Sequence, residues 1–106
     1  MNALTFILSL SLLIFQTDRT EFQLLNSSEE SLKIEIPGFR SLILHPEHPS
    51  EFRVQTGQEI YLLKDIDADD ELDRVLLFVV AKEHEGKVIK VDKLVKQAIK
   101  DHIKVN

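Results

Sequence analysis

The chain has 106 residues, 43% hydrophobic and 29% charged, with a formal net charge of −5 and a pI near 5.3. This length bounds it to one domain, the composition is that of a folded rather than a disordered chain, and the acidic balance speaks against nucleic acid as a partner. There is no cysteine, which excludes disulfides, thiolate metal sites, thiol nucleophiles and lipidated cysteine.

Residues Ala3 to Phe15 carry no charge, and the first charged side chain is Asp18. As a helix this run would be about 20 Å long, short of a hydrocarbon core of about 30 Å. It suits the apolar region of a secretory signal peptide rather than an integral membrane span. Residues 1–17 are therefore read as a signal peptide and 21–106 as a single β domain, exported to the periplasm or the extracellular space. No Lys or Arg precedes the run, and no small-x-small site follows Phe15. The competing reading makes the run a buried element of a cytoplasmic protein. Export without cysteine suits a bacterial envelope.

Short periodic segments follow. Phe22 and Leu24 share one face of Glu21 to Leu25. Asn26-Ser27-Ser28 fits a glycosylation sequon, but so short a match is common by chance, and it reads as a turn. Ser31 to Ile36 alternates cleanly, with Leu32, Ile34 and Ile36 on one side and Lys33 and Glu35 on the other. Pro37-Gly38 ends that strand. Ser41 to Leu44 is a third strand, stopped by His45-Pro46-Glu47-His48-Pro49. Glu51 to Gln55 points Phe52 and Val54 inward, and Thr56-Gly57 leads into Glu59 to Lys64.

After an acidic stretch, Arg74 to Lys82 is apolar without alternation. Such a strand is expected to be covered on both faces, in the middle of the fold. Glu83 to Gly86 is read as a turn from which Lys87 to Val91 pairs back onto it. The period then changes. Val91, Leu94, Val95, Ala98, Ile99 and Ile103 form a helical stripe, and Lys93, Lys96, Lys100 and Lys104 lie off it. A helix is expected over 92–103, with Asp92 as N-cap, packed on the sheet beside the final hairpin. With four Lys against two Asp and no aromatic anchor, it is read as packing on its own sheet rather than on a membrane.

Three groups of residues are candidates for function. Asp65-Ile66-Asp67-Ala68-Asp69 opens like a calcium loop, but Asp70 and Leu76 stand where an EF-hand needs Gly and a carboxylate. Asp65, Asp67 and Asp69 remain candidate ligands of a looser site. The plainer reading is a solvated, self-repelling loop that blocks edge pairing. His45, Glu47 and His48 could serve zinc or copper, yet a zinc site needs three or four ligands, and His84-Glu85 lies in another loop. The plainer reading is exposed loop histidines. Leu42, Ile43 and Leu44, if they lie at a sheet edge, offer a partner-binding strand. The motifs of serine nucleophiles, zinc peptidases and phosphate-cradling loops are missing, so no catalytic residue and no cofactor is assigned.

With its apolar leader, Ile36-Pro37-Gly38, Gly57-Gln58-Glu59-Ile60 and Val91-Asp92-Lys93-Leu94-Val95-Lys96, the chain resembles small uncharacterised exported proteins of Bacteroidetes-type bacteria over roughly Glu21 to Ile103. The Asp65 to Asp73 stretch and the histidine-rich loop depart from that group. The resemblance implies export and one small β domain, and carries no activity with it.

The expected fold is mainly β: an antiparallel meander or sandwich-like sheet of about six or seven short strands, with one C-terminal amphipathic helix. The expected function is that of a small, non-catalytic binding protein of the bacterial envelope. Its partner would be a protein or another envelope component, and self-association along a strand edge is the other pairing open to it. The alternative is an envelope protein that binds a divalent metal through its histidine-rich or acidic loop.

Overall fold

A computed structural model describes residues 18–105; the expected signal peptide lies outside them. Seven strands and one helix follow in order: β1 (Arg19–Leu25), β2 (Leu32–Ile36), β3 (Arg40–Leu44), β4 (Ser50–Gln55), β5 (Glu59–Lys64), β6 (Asp73–Val79), a 3-10 turn at Lys82–His84, β7 (Val88–Lys90) and α1 (Asp92–Val105). They build a three-stranded sheet, β4-β1-β7, and a four-stranded sheet, β3-β2-β5-β6. The mainly β fold with a C-terminal helix is as the periodicity implies.

Alternation decides which faces meet. Phe22 and Leu24 from β1 and Phe52 and Val54 from β4 are buried, as are Leu32, Ile34, Ile36, Leu44, Ile60 and Leu62 from the other sheet. Phe22 stacks on Phe52 at 5.6 Å and meets Phe78 edge-on at 5.9 Å, so this ring joins the two sheets. Each fully buried Leu or Ile contributes about 1.5–3 kcal/mol, which is how a chain without disulfides holds together. Between β2 and β3 the turn is of type II. Phe39 N–H donates to the Ile36 carbonyl at 3.0 Å, Pro37 takes the first central position, and Gly38 takes the second with φ +75°.

The strand expected at the centre is at an edge. β6 pairs with β5 alone within its sheet, and Leu76 and Val79 are 43% and 44% exposed. A bulge produces the misleading apolar run. Tyr61 pairs with Leu76 and Ile60 with Phe78, so Leu77 is an extra residue. Val75 and Leu77 face inward before the bulge, and Phe78 and Val80 after it. The inward phase shifts by one residue, and the sequence shows it as an unbroken stretch.

The expected hairpin between this strand and Lys87 to Val91 does not form. β7 instead runs parallel to β1, with Gln23, Leu24 and Leu25 opposite Val88, Ile89 and Lys90. The reason lies in the turn before it: Gly86 N–H donates to the Glu21 carbonyl at 2.7 Å and Gln23 N–H to the Lys87 carbonyl at 2.9 Å. Those bonds hand the chain to the other sheet.

The helix cap also differs. The Val91 carbonyl accepts the first helical bond, from Val95 N–H at 2.8 Å, so Val91 is the N-cap residue and Asp92 the first helical one. The Asp92 carboxylate accepts Ser27 N–H at 3.0 Å instead. Leu94, Val95, Ala98 and Ile99 pack into the core, and the helix lies against β6, as the apolar stripe requires.

Candidate functional site

The acidic connection between β5 and β6 is folded by its own carboxylates. Asp65 accepts Asp69 N–H on Oδ1 and Asp70 N–H on Oδ2, each at 3.1 Å. Asp69 Oδ1 accepts Glu71 N–H at 3.0 Å. Asp73 Oδ2 accepts Ile66 N–H at 2.9 Å and Asp67 N–H at 3.4 Å. Aspartate is suited to such local bonds, and these hold Ala68 and Asp70 at φ +56° and +65°, where residues other than glycine are uncommon.

Two groups of ligand atoms converge there, each within 4.8 Å: Asp65, Asp69 and Asp73, and Asp67, Asp73 and His102. His102 Nε2 lies 3.3 Å from Asp67 Oδ2 and 3.9 Å from Asp73 Oδ1, with the His102 and Asp73 side chains only 17% and 19% exposed. The first group offers oxygens only, which suits a hard cation. The second adds an imidazole, which suits zinc or manganese. Of the candidates drawn from sequence, Asp65 and Asp69 meet in one group and Asp67 belongs to the other. Asp73 and His102 were missed. Asp73 was visible as the end of the acidic stretch. No sequence signal places His102, because its approach depends on how α1 lies against β6.

The histidine-rich loop is different. His45, Glu47 and His48 are exposed, and neither converging group among the described residues includes them. His84 is engaged elsewhere: its Nδ1 accepts Ala81 N–H at 2.9 Å and its ring meets Phe78 edge-on at 5.2 Å. The sequon asparagine, Asn26, is fully buried and completely bonded. Its Nδ2 donates to the carbonyls of Glu30 (2.7 Å) and Leu44 (3.0 Å), and its Oδ1 accepts from Ser28 N–H and Ser28 Oγ. It forms a parallel β-bridge with Pro46 rather than a turn, and has no surface to offer a glycan.

Leu42, Ile43 and Leu44 lie on β3, which is an edge strand. Ile43 is 51% exposed, the neighbouring Phe39 is 65% exposed, and Leu44 is buried. On the three-stranded sheet an open concavity of about 420 Å³ is lined by Glu21, Gln23, Glu51, Arg53, Gly86 and Lys87. Arg53 and Glu21 pair across it at 3.5 Å, both well exposed. Such a pair contributes less than about 1 kcal/mol and leaves the concavity a shallow, solvated surface.

Among the described residues, no helix is long and apolar enough to cross a membrane. Compared with protein-family models, curated proteins and solved structures, the chain matches none.

Proposed function

We propose that this is a small, non-catalytic exported binding protein of the bacterial envelope, which captures an extended peptide segment by adding it as a strand alongside β3. The observation that carries this reading is the weak protection of that edge, charged only at Arg40. Sheet edges are ordinarily protected by charge, bulges or covering elements. β6 has a bulge and α1 against it. β4 presents Glu51 and Arg53, and β7 is three residues long and ends in Lys90. β3 carries a charge only at its first residue, Arg40, is uncharged from Ser41 to Leu44 and exposes Ile43. A displayed library of random extended peptides tests it. Selected peptides should lose binding to the Ile43→Lys and Ser41→Pro variants, and peptides indifferent to every β3 substitution would sink the reading. Self-association along β3 would show instead as a dimer abolished by Ile43→Lys. Export is tested by the N-terminal residue of the mature protein and the cell fraction that holds it.

A second reading, binding of a divalent cation, is favoured by one observation: the approach of His102 to Asp67 and Asp73 from a different element. Calorimetry with zinc, manganese and calcium tests it. Saturable binding lost in both Asp73→Asn and His102→Ala supports this reading, and absence of heat with all three ions removes it.

A further inference from the structure

Charge is distributed unevenly along the chain. Residues 87–105 contain six lysines and two aspartates, a formal +4, and the rest of the chain carries −9. All six lysines are exposed, and none forms an ion pair among the described residues. Both aspartates have local partners: Asp92 accepts from Ser27 N–H, and Asp101 Oδ1 accepts from Gln97 Nε2 at 2.8 Å. At about 100° per residue, Lys93, Lys96, Lys100 and Lys104 fall within an arc of about 80°. The residues turned inward, Leu94, Val95, Ala98, Ile99 and His102, lie on the opposite side of the helix. The acidic loop touches the helix through His102, on that inner side. It is separated from the lysine row by the helix body of about 10 Å, close to a Debye length in physiological salt.

We infer that the lysine row of α1 docks the protein on an anionic phospholipid surface. A row of exposed lysines along one side of a helix can bring four ammonium groups to a plane together. Ile103, 61% exposed beside the row, can touch the headgroup layer. The contact is electrostatic: each lysine near an anionic surface strengthens binding severalfold, and salt weakens it. α1 packs at β6 and β3 is the far edge of the same sheet, so docking through α1 leaves β3 facing away.

The test is co-sedimentation of the full chain with phosphatidylcholine vesicles, with and without phosphatidylglycerol. The uncharged run from Ala3 to Phe15 would favour both vesicles alike, so the readout is the difference between them. The expected result is a preference for anionic vesicles of about tenfold or more at about 50 mM salt, lost at about 300 mM. Replacing Lys93, Lys96, Lys100 and Lys104 together by Gln should abolish the preference while the thermal midpoint holds. If that variant fails to fold, the paired variants Lys93→Gln/Lys96→Gln and Lys100→Gln/Lys104→Gln carry the test, each losing part of the preference. Equal binding to both vesicles, an unchanged preference in the variants, or binding of an acidic polypeptide or single-stranded DNA without binding of vesicles overturns the inference.

Discussion

The Arg74 guanidinium lies 3.8 Å above the ring of Tyr61, and its Nε donates to Glu35 Oε1 at 2.6 Å. Three adjacent strands, β2, β5 and β6, are thereby tied on the outer face of their sheet. The cation–π contact contributes about 0.5–1 kcal/mol at such a half-exposed site. Burial under this cover pushes the Tyr61 phenol above its ordinary value of 10.0, and the hydrogen bond with Glu59 and the charge of Glu59 add to it, with Arg74 working the other way.

A titration follows from that arrangement. Tyr61 is the single tyrosine and the chain has no tryptophan, so the ultraviolet tyrosinate band reports one group. Its midpoint should exceed that of the same protein in denaturant. The folded state favours the protonated phenol, so this contribution to stability is complete below pH of about 10 and is lost as pH rises through the higher folded value. A native midpoint equal to or below the denatured one would contradict the burial of this ring.

The buried Asn26 gives a second expectation. Its amide donates to two carbonyls, and a carboxylate there would face both with no proton to give. Asn26→Asp should cost about 3 kcal/mol or more, and Asn26→Ala about 2 kcal/mol, measured by denaturant unfolding. The expected order is the discriminating feature. A loop that merely needed a polar residue would tolerate aspartate better than alanine.

The bulge in β6 can be tested by charge. Leu76 faces solvent and Leu77 faces the core. Leu76→Lys should change stability by about 0.5 kcal/mol or less, whereas Leu77→Lys should cost about 3 kcal/mol or more. Equal losses would mean that the run is covered on both faces.

The Asp92 carboxylate joins the start of α1 to the Ser27 backbone. Asp92→Ala removes both that bond and a favourable charge near the helix N-terminus, at about 1–2 kcal/mol. Asp92→Asn keeps an acceptor and loses only the charge, at about 0.5 kcal/mol. Thermal unfolding of the two variants, compared in one buffer, gives the order.

Periodicity, turn residues and one unbroken apolar run together located the strands and the helix, because alternation in Leu32-Lys33-Ile34-Glu35-Ile36 and the three-to-four spacing of Leu94, Val95, Ala98 and Ile99 are local consequences of burying one face. Turn chemistry at Pro37-Gly38 was equally readable, since φ beyond zero singles out glycine there. The position of each strand within a sheet was decided only in three dimensions. Val75 to Val80 looked central because a bulge shifts its inward phase, and a shifted phase is indistinguishable in sequence from a strand buried on both faces. Val88 to Lys90 looked like a hairpin partner because the turn before it is short, but backbone bonds to Glu21 and Gln23, some 60 residues away in the chain, took it to the other sheet. The candidate sites divide the same way. Acidic character, the apolar β3 segment and the lysine spacing are properties of consecutive residues and were legible. The meeting of His102 with Asp67 and Asp73, and the separation of the lysine row from the acidic loop, depend on where α1 lies against β6, which packing fixes and no local pattern encodes.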